Sequence, residues 1–112
     1  MQLDIEHEKL DEITQRILDV SQPEKIILFG SFARGTSTPN SDLDLLVILK
    51  DVDTPRAESN RLRRALRGLL IPIDIIVASP DQIDRYGDAP GLIYRTALKE
   101  GVIIYERPPT AS

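Results

Sequence analysis

Four short apolar runs punctuate this chain and leave it little choice of architecture. Lys25-Ile26-Ile27-Leu28-Phe29 ends at Gly30, and Leu43 to Leu49 is interrupted by one aspartate. Ile71 to Ala78 carries Pro72 near its start, and Val102 to Tyr105 comes last. Apolar runs this short, bounded by Gly, Pro or polar residues, read as buried strands. Between them the apolar spacing is helical. Leu3, Leu10, Ile13, Ile17 and Val20 share one side of a segment that Ser21-Gln22-Pro23 breaks. Leu62, Ala65, Leu66 and Leu69 share one side of the segment from Thr54 to Leu69, whose end Gly68 weakens. Ser31 to Arg34 predicts a short helix capped by Ser31 and closed by Gly35, followed by a loop from Thr36 to Ser41. Ser79-Pro80 opens a helical turn through Tyr86, and Pro90 and Gly101 bracket a last helix. The order is an α/β layer of about four strands covered by helices, with Leu43–Leu49 at its centre. The pattern alone leaves parallel and mixed sheets both open.

The second run carries chemistry. In Ser41-Asp42-Leu43-Asp44-Leu45-Leu46-Val47 the two aspartates are two residues apart at the mouth of a strand, so both point to one face, and Leu43 and Leu45 to the other. Carboxylates placed side by side repel each other unless something positive sits between them. A hard divalent ion such as Mg²⁺, which prefers oxygen ligands and keeps phosphate or water in its shell, suits them. A third carboxylate, Asp74, stands inside the otherwise apolar Ile73–Val77. An unpaired buried charge is costly, so Asp74 lies at a polar surface or serves a site. If its strand neighbours that of Asp42 and Asp44, the three converge as a set able to hold two ions, with Asp74 placed to accept a proton. Upstream, Gly30-Ser31 ends the first strand. Glycine there lets the backbone approach a phosphate, and a helix starting at Ser31 turns free N–H groups toward it. Taken singly, each feature also has a plain reading: a polar strand start, a serine-capped turn, a solvated aspartate on an edge strand. Their joint order carries the functional one.

The fuller string, Gly30-Ser31-Phe32-Ala33-Arg34-Gly35 leading to Ser41-Asp42-Leu43-Asp44-Leu45, with Asp74 on a later strand, resembles the polymerase-beta-like nucleotidyltransferase superfamily and in particular its minimal members. Those members are often encoded beside a HEPN-domain partner as a toxin–antitoxin pair. The resemblance implies a mixed sheet, triphosphate binding by Gly30 and Ser31, Mg²⁺ held by Asp42 and Asp44, and Asp74 as third carboxylate. It further implies transfer of a nucleoside monophosphate, AMP from ATP in some antitoxins, to a hydroxyl such as a tyrosine of a HEPN toxin. Many relatives carry an acidic residue after the second glycine, where this chain has Thr36. The alternative is an antitoxin that neutralises a HEPN ribonuclease by binding, with little or no transfer. Antibiotic and tRNA nucleotidyltransferases rank last, since they use an additional substrate domain.

Size and charge bear on the partner. At 112 residues the chain suits one domain over 1–106 with a flexible tail over 107–112, and has little surface left to enclose a second substrate. A net charge of -4 argues against direct nucleic-acid binding across the whole surface. With no cysteine, disulfides and thiolate metal sites are excluded. The acidic start, Met1 to Glu8, and the lack of a long apolar stretch predict a cytoplasmic protein without membrane contact. Arg56, Asn60, Arg63 and Arg67 form a stripe on the third predicted helix, with Arg61 and Arg64 beside it. It reads as a solvated face or as a docking surface for an acidic partner or RNA phosphates. Lys25 and Arg34 are further cations not assigned to phosphate. His7 stands alone, which leaves it no metal role. Tyr86, Tyr94 and Tyr105 are too scattered for a stacking platform and are expected in the core or at its edge. Homo- and hetero-oligomers both remain open.

Overall fold

The computed structural model describes residues 7–38, 41–50, 54–87 and 93–108, and each apolar run becomes a strand within them. Helix α1 (His7–Val20) leads into β1 (Lys25–Phe29), α2 (Ser31–Arg34) and β2 (Leu43–Ile48). Then follow α3 (Pro55–Ala65), β3 (Ile73–Ala78), α4 (Pro80–Tyr86), α5 (Ile93–Glu100) and β4 (Val102–Glu106). The strands form one sheet in the order β3-β2-β1-β4. β1 runs antiparallel to β2 and β4, while β2 and β3 are parallel, so the sheet is mixed.

β2 is interior, as its sequence requires. A strand flanked on both edges and covered on both faces is apolar nearly throughout. Leu43, Leu45 and Val47 join Ile26, Leu28, Ile75 and Val77 under Leu10, Ile13 and Ile17 of α1 and Leu62 and Leu66 of α3. On the other face Leu46 and Ile48 meet Ile27, Phe29 and Ala78 beneath Ala97 of α5, with Ile83 of α4 and Tyr94 of α5 packed alongside. Helices thus cover both faces of the sheet, and the alternation of β2 and β3 decides which residues escape into the site.

Several boundaries differ from the sequence reading. α3 stops at Ala65 rather than Leu69. The Leu66 N–H bonds the carbonyls of both Leu62 and Arg63, which tightens the last turn, and Gly68 adopts φ 95°. Leu66 stays buried and Leu69 still packs against the core. β3 starts at Ile73 because Pro72 has no N–H for the ladder; its carbonyl instead accepts from the Leu43 N–H at 2.8 Å. Ser31 is the first helical residue of α2, not its cap; Gly30 holds the cap position, and no side chain caps that end. Gly35 closes the helix as expected. The α4 start is fully capped, with Ser79 and Gln82 bonding each other's backbone N–H. Tyr94 and Tyr105 pack against the core, whereas Tyr86 is exposed. Of the expected tail, the Arg107 N–H bonds the Glu24 carbonyl at 2.9 Å. Residues 109–112, Leu3, Pro90 and Leu92 lie outside the described residues.

Leu62 is fully buried and pins α3 to the sheet. Leu62→Ala is expected to cost about 2–5 kcal/mol by leaving a cavity there. The urea unfolding midpoint, at unchanged slope, measures it.

Candidate active site

β1 ends where β2 and β3 begin, and the sequence-predicted residues gather at that end of the sheet. Phe29, the last residue of β1, pairs with Asp44, so Gly30 emerges beside the Asp44 side chain. Gly30 has φ 77° and ψ -157°, a region open essentially to glycine alone. A Cβ built there would lie 3.2 Å from the Asp44 Cγ and overlap its Oδ2. The glycine is therefore needed twice, for its backbone conformation and for the room it leaves the carboxylate. Directly after it, α2 begins at Ser31. The N–H groups of Ala33 and Arg34 turn back to the Gly30 carbonyl at 3.1 Å, and the first-turn N–H groups of Ser31 and Phe32 have no partner within the helix.

The three carboxylates follow from the register of β2 and β3. Asp44 and Asp74 are direct partners in the parallel pair, one strand spacing of about 4.8 Å apart. Alternation puts both on the face of Leu46, Ile48 and Ala78 rather than the face of Leu43, Leu45 and Ile75. Asp44 is half-buried, while Asp42, just before β2, and Asp74 are exposed. Burial, then the charges of Asp74 and Asp42, push the Asp44 carboxyl above its ordinary value, and Arg34 partly opposes them. Asp44 therefore feels both of the other carboxylates. That repulsion makes a positive charge beside Asp44 favourable.

The cations separate by position. Arg34, on α2, lies close enough to act on Asp44 and pairs with Glu100 at 3.6 Å. Lys25 stands at the opposite end of β1, paired with Glu106 at 3.4 Å, and is remote from the aspartates. Arg63, which the sequence placed only on a surface stripe, donates to Asp74 Oδ1 at 3.1 Å. Nothing in the sequence singles it out from the other arginines of the stripe, because the contact depends on how α3 lies against β3. Thr36 is exposed, and its N–H bonds the Ser31 carbonyl at 2.9 Å.

The donor set fits a hard divalent ion. Asp42 and Asp44 offer carboxylate oxygens at a rigid strand end, and Mg²⁺ is commonly held by one or two carboxylates with substrate phosphates completing its shell. Asp74 is engaged by Arg63, and among the described residues no three acidic or histidine side chains close on a common point. A separate concavity of about 710 Å³ lies at the other end of β2, between α1 and α3, lined by Val20, Leu49, Thr54 and Arg61 among others. Its cations Lys50 and Arg107 pair with Glu24, and Arg61 pairs with Glu58.

The family model described as "Polymerase beta, Nucleotidyltransferase" matches residues 8–110. The chain belongs to that family. Among its relatives is a "putative protein adenylyltransferase" of Methanocaldococcus jannaschii, 34% identical over 82 residues, which are 73% of this chain and 78% of the relative. A second protein so named, from the same organism, is 51% identical over 39 residues, 35% of this chain and only 26% of that relative's length. Among solved structures, a "putative nucleotidyltransferase" from Sulfolobus solfataricus superimposes with a TM-score of 0.60 at 25% identity, covering 88% of this chain and 79% of that one. A toxin–antitoxin crystal structure with AMP-PNP gives 0.61 at 22% identity, covering 88% of this chain and 73% of that one, and shares the fold.

Two tests follow for this nucleotidyltransferase. Gly30→Ala should destabilise the fold by about 1–3 kcal/mol through its backbone alone, read as a lower urea midpoint. A raised Asp44 pKa contributes stability that is present below the ordinary value of 3.8 and lost as pH rises through the folded value. Asp44→Asn should therefore raise the melting temperature of the metal-free protein at pH 7, with the advantage vanishing below pH 3.8. Thermal melts across that range check both the sign and the window.

Proposed function

We propose that this nucleotidyltransferase moves AMP from ATP to a hydroxyl on a protein, with Mg²⁺ held by Asp42 and Asp44 and joined by Asp74. The favoured acceptor is a tyrosine of a HEPN-type toxin, which makes the chain an antitoxin acting in the cytoplasm. The observation that carries this reading is the in-register pairing of Asp44 with Asp74 next to the Gly30 turn. Phosphate binding and carboxylates at one strand end are what a phosphoryl-group displacement needs. The adenylyltransferase names of the relatives support AMP as the group moved. The toxin–antitoxin structure with AMP-PNP supports an adenine nucleotide and a protein partner. No helix among the described residues is long and apolar enough to cross a membrane.

In this scheme the triphosphate lies against the N–H groups of Ser31 and Phe32, where Gly30 leaves the backbone open. The Ser31 hydroxyl, not spent on capping α2, adds a donor. The acceptor oxygen bonds to the α-phosphorus as the bond from that phosphorus to the bridging oxygen breaks and pyrophosphate leaves. Asp74 takes the proton released by the acceptor hydroxyl. The ion, when bound, supplies neutralisation of the charge on the reacting phosphates. Asp42 and Asp44 keep it in place because they sit at the start of a buried strand rather than in a loop.

The test is transfer of label from α-labelled ATP with Mg²⁺ to a co-expressed HEPN-domain partner. Asp42→Ala and Asp44→Ala should each lower transfer by roughly 10²-fold or more, with unchanged far-UV circular dichroism. Normal transfer by both variants would sink the proposal. Toxin neutralisation that persists in Asp44→Ala would replace transfer with inhibition by binding.

A further inference from the structure

The arginine-rich face of α3 meets the candidate active site at one residue. α3 packs through Leu62 and Leu66 against the sheet face opposite to the one bearing Asp44 and Asp74. Contact with Asp74 is possible only because β3 is an edge strand. Two bonds reach that strand from α3. Ser59 Oγ donates to the Ile75 carbonyl at 3.2 Å, and one turn later Arg63 Nη2 donates to Asp74 Oδ1 at 3.1 Å. The first bond holds the helix on the strand. The second is a single nitrogen-to-oxygen contact between side chains 50% and 51% exposed, so Arg63 can swing away without any movement of α3.

We propose that Arg63 is a displaceable counter-ion, which occupies Asp74 in the free protein and must release it before that carboxylate can join an ion held by Asp42 and Asp44. This rests on the metal site read above. Three aspartates share the site, and of the two arginines acting on them Arg34 is also paired with Glu100. Arg63 therefore gives Asp74 its compensating charge when no ion is bound. A divalent cation held by Asp42 and Asp44 would bring twice the charge of Arg63 to this strand end, where Asp74 can join it once Arg63 has swung away. Exposed pairs like Arg63–Asp74 hold by a factor of only about 1.5 to 5, so an ion can win the exchange while still losing affinity to it. The opposite role, in which Arg63 orients Asp74 for the ion, predicts the opposite sign.

Mn²⁺ titration of the nucleotide-free full chain, read by calorimetry and by the free-Mn²⁺ electron paramagnetic resonance signal, separates these. Arg63→Gln should bind Mn²⁺ roughly two- to five-fold more tightly than the wild type. Arg63→Lys, which keeps the charge, should return most of the way to wild type. Arg64→Gln, which removes the same charge from the neighbouring position, should give a smaller gain. The Arg63→Gln gain should vanish in an Asp74→Asn background. Equal or weaker binding by Arg63→Gln overturns the proposal, as does a gain that survives Asp74→Asn or is matched by Arg64→Gln. The metal-site reading fails by a different result, namely Mn²⁺ binding by Asp44→Asn indistinguishable from wild type, and the counter-ion role falls with it.

Discussion

Two like charges stand abreast in this sheet because β2 and β3 are parallel and in register from Leu43 and Ile73 onward. At a separation near one strand spacing, two carboxylates repel by roughly 1 kcal/mol in water and about 3 kcal/mol at the effective dielectric of a protein surface. A register shift of one residue would relieve that repulsion but would also turn every apolar side chain of β3 to the wrong face. The hydrophobic pattern of Ile73, Ile75 and Val77 thus holds Asp74 where electrostatics alone would not put it. Position comes from the core, and the site inherits the strain.

The surroundings limit that cost without removing it. Asp44 is the second residue of a strand whose other five residues are all buried, so its backbone has no freedom to retreat. Gly30 leaves space for the carboxylate instead of filling it. Arg34 and Arg63 approach from different elements and each offsets part of the charge from the solvent side. Neither cation is buried with the acids, which would cost more in desolvation than it returned. The result is a negatively charged strand end, partly neutralised by groups that can leave.

Most of the architecture was legible in the sequence because burial and strand periodicity write the same signal. Lys25–Phe29 and the short α2 are found at the predicted bounds. The juxtaposition of Asp44 with Asp74 was legible only as a condition, since nothing in a run of Ile and Val says which strand it will pair with. The parallel direction of β2 and β3 was likewise invisible until their connection through α3 was in place. Errors clustered at ends, where one backbone group decides. Pro72 could not donate to the ladder, and Ser31 fell one residue inside the helix it was expected to cap. Arg63 escaped because a helix stripe has two neighbours, solvent and strand edge, and spacing alone does not distinguish them.

The shape of the site bears on what the proposed reaction asks of an acceptor. Asp42 and Asp74 are exposed, and the concavity of about 710 Å³ lies at the far end of β2. Strands and the Gly30 turn therefore fix the carboxylates, two of which open to solvent. Such a surface can orient a triphosphate and still say little about which hydroxyl arrives. Binding energy for the acceptor then has to come from contacts outside the reacting groups, made by a partner large enough to span them. Of the exposed arginines of α3, Arg63 reaches Asp74, so a partner docking on that helix would touch the element that holds the third carboxylate. Acceptor choice and assembly of the site would be coupled through a single side chain.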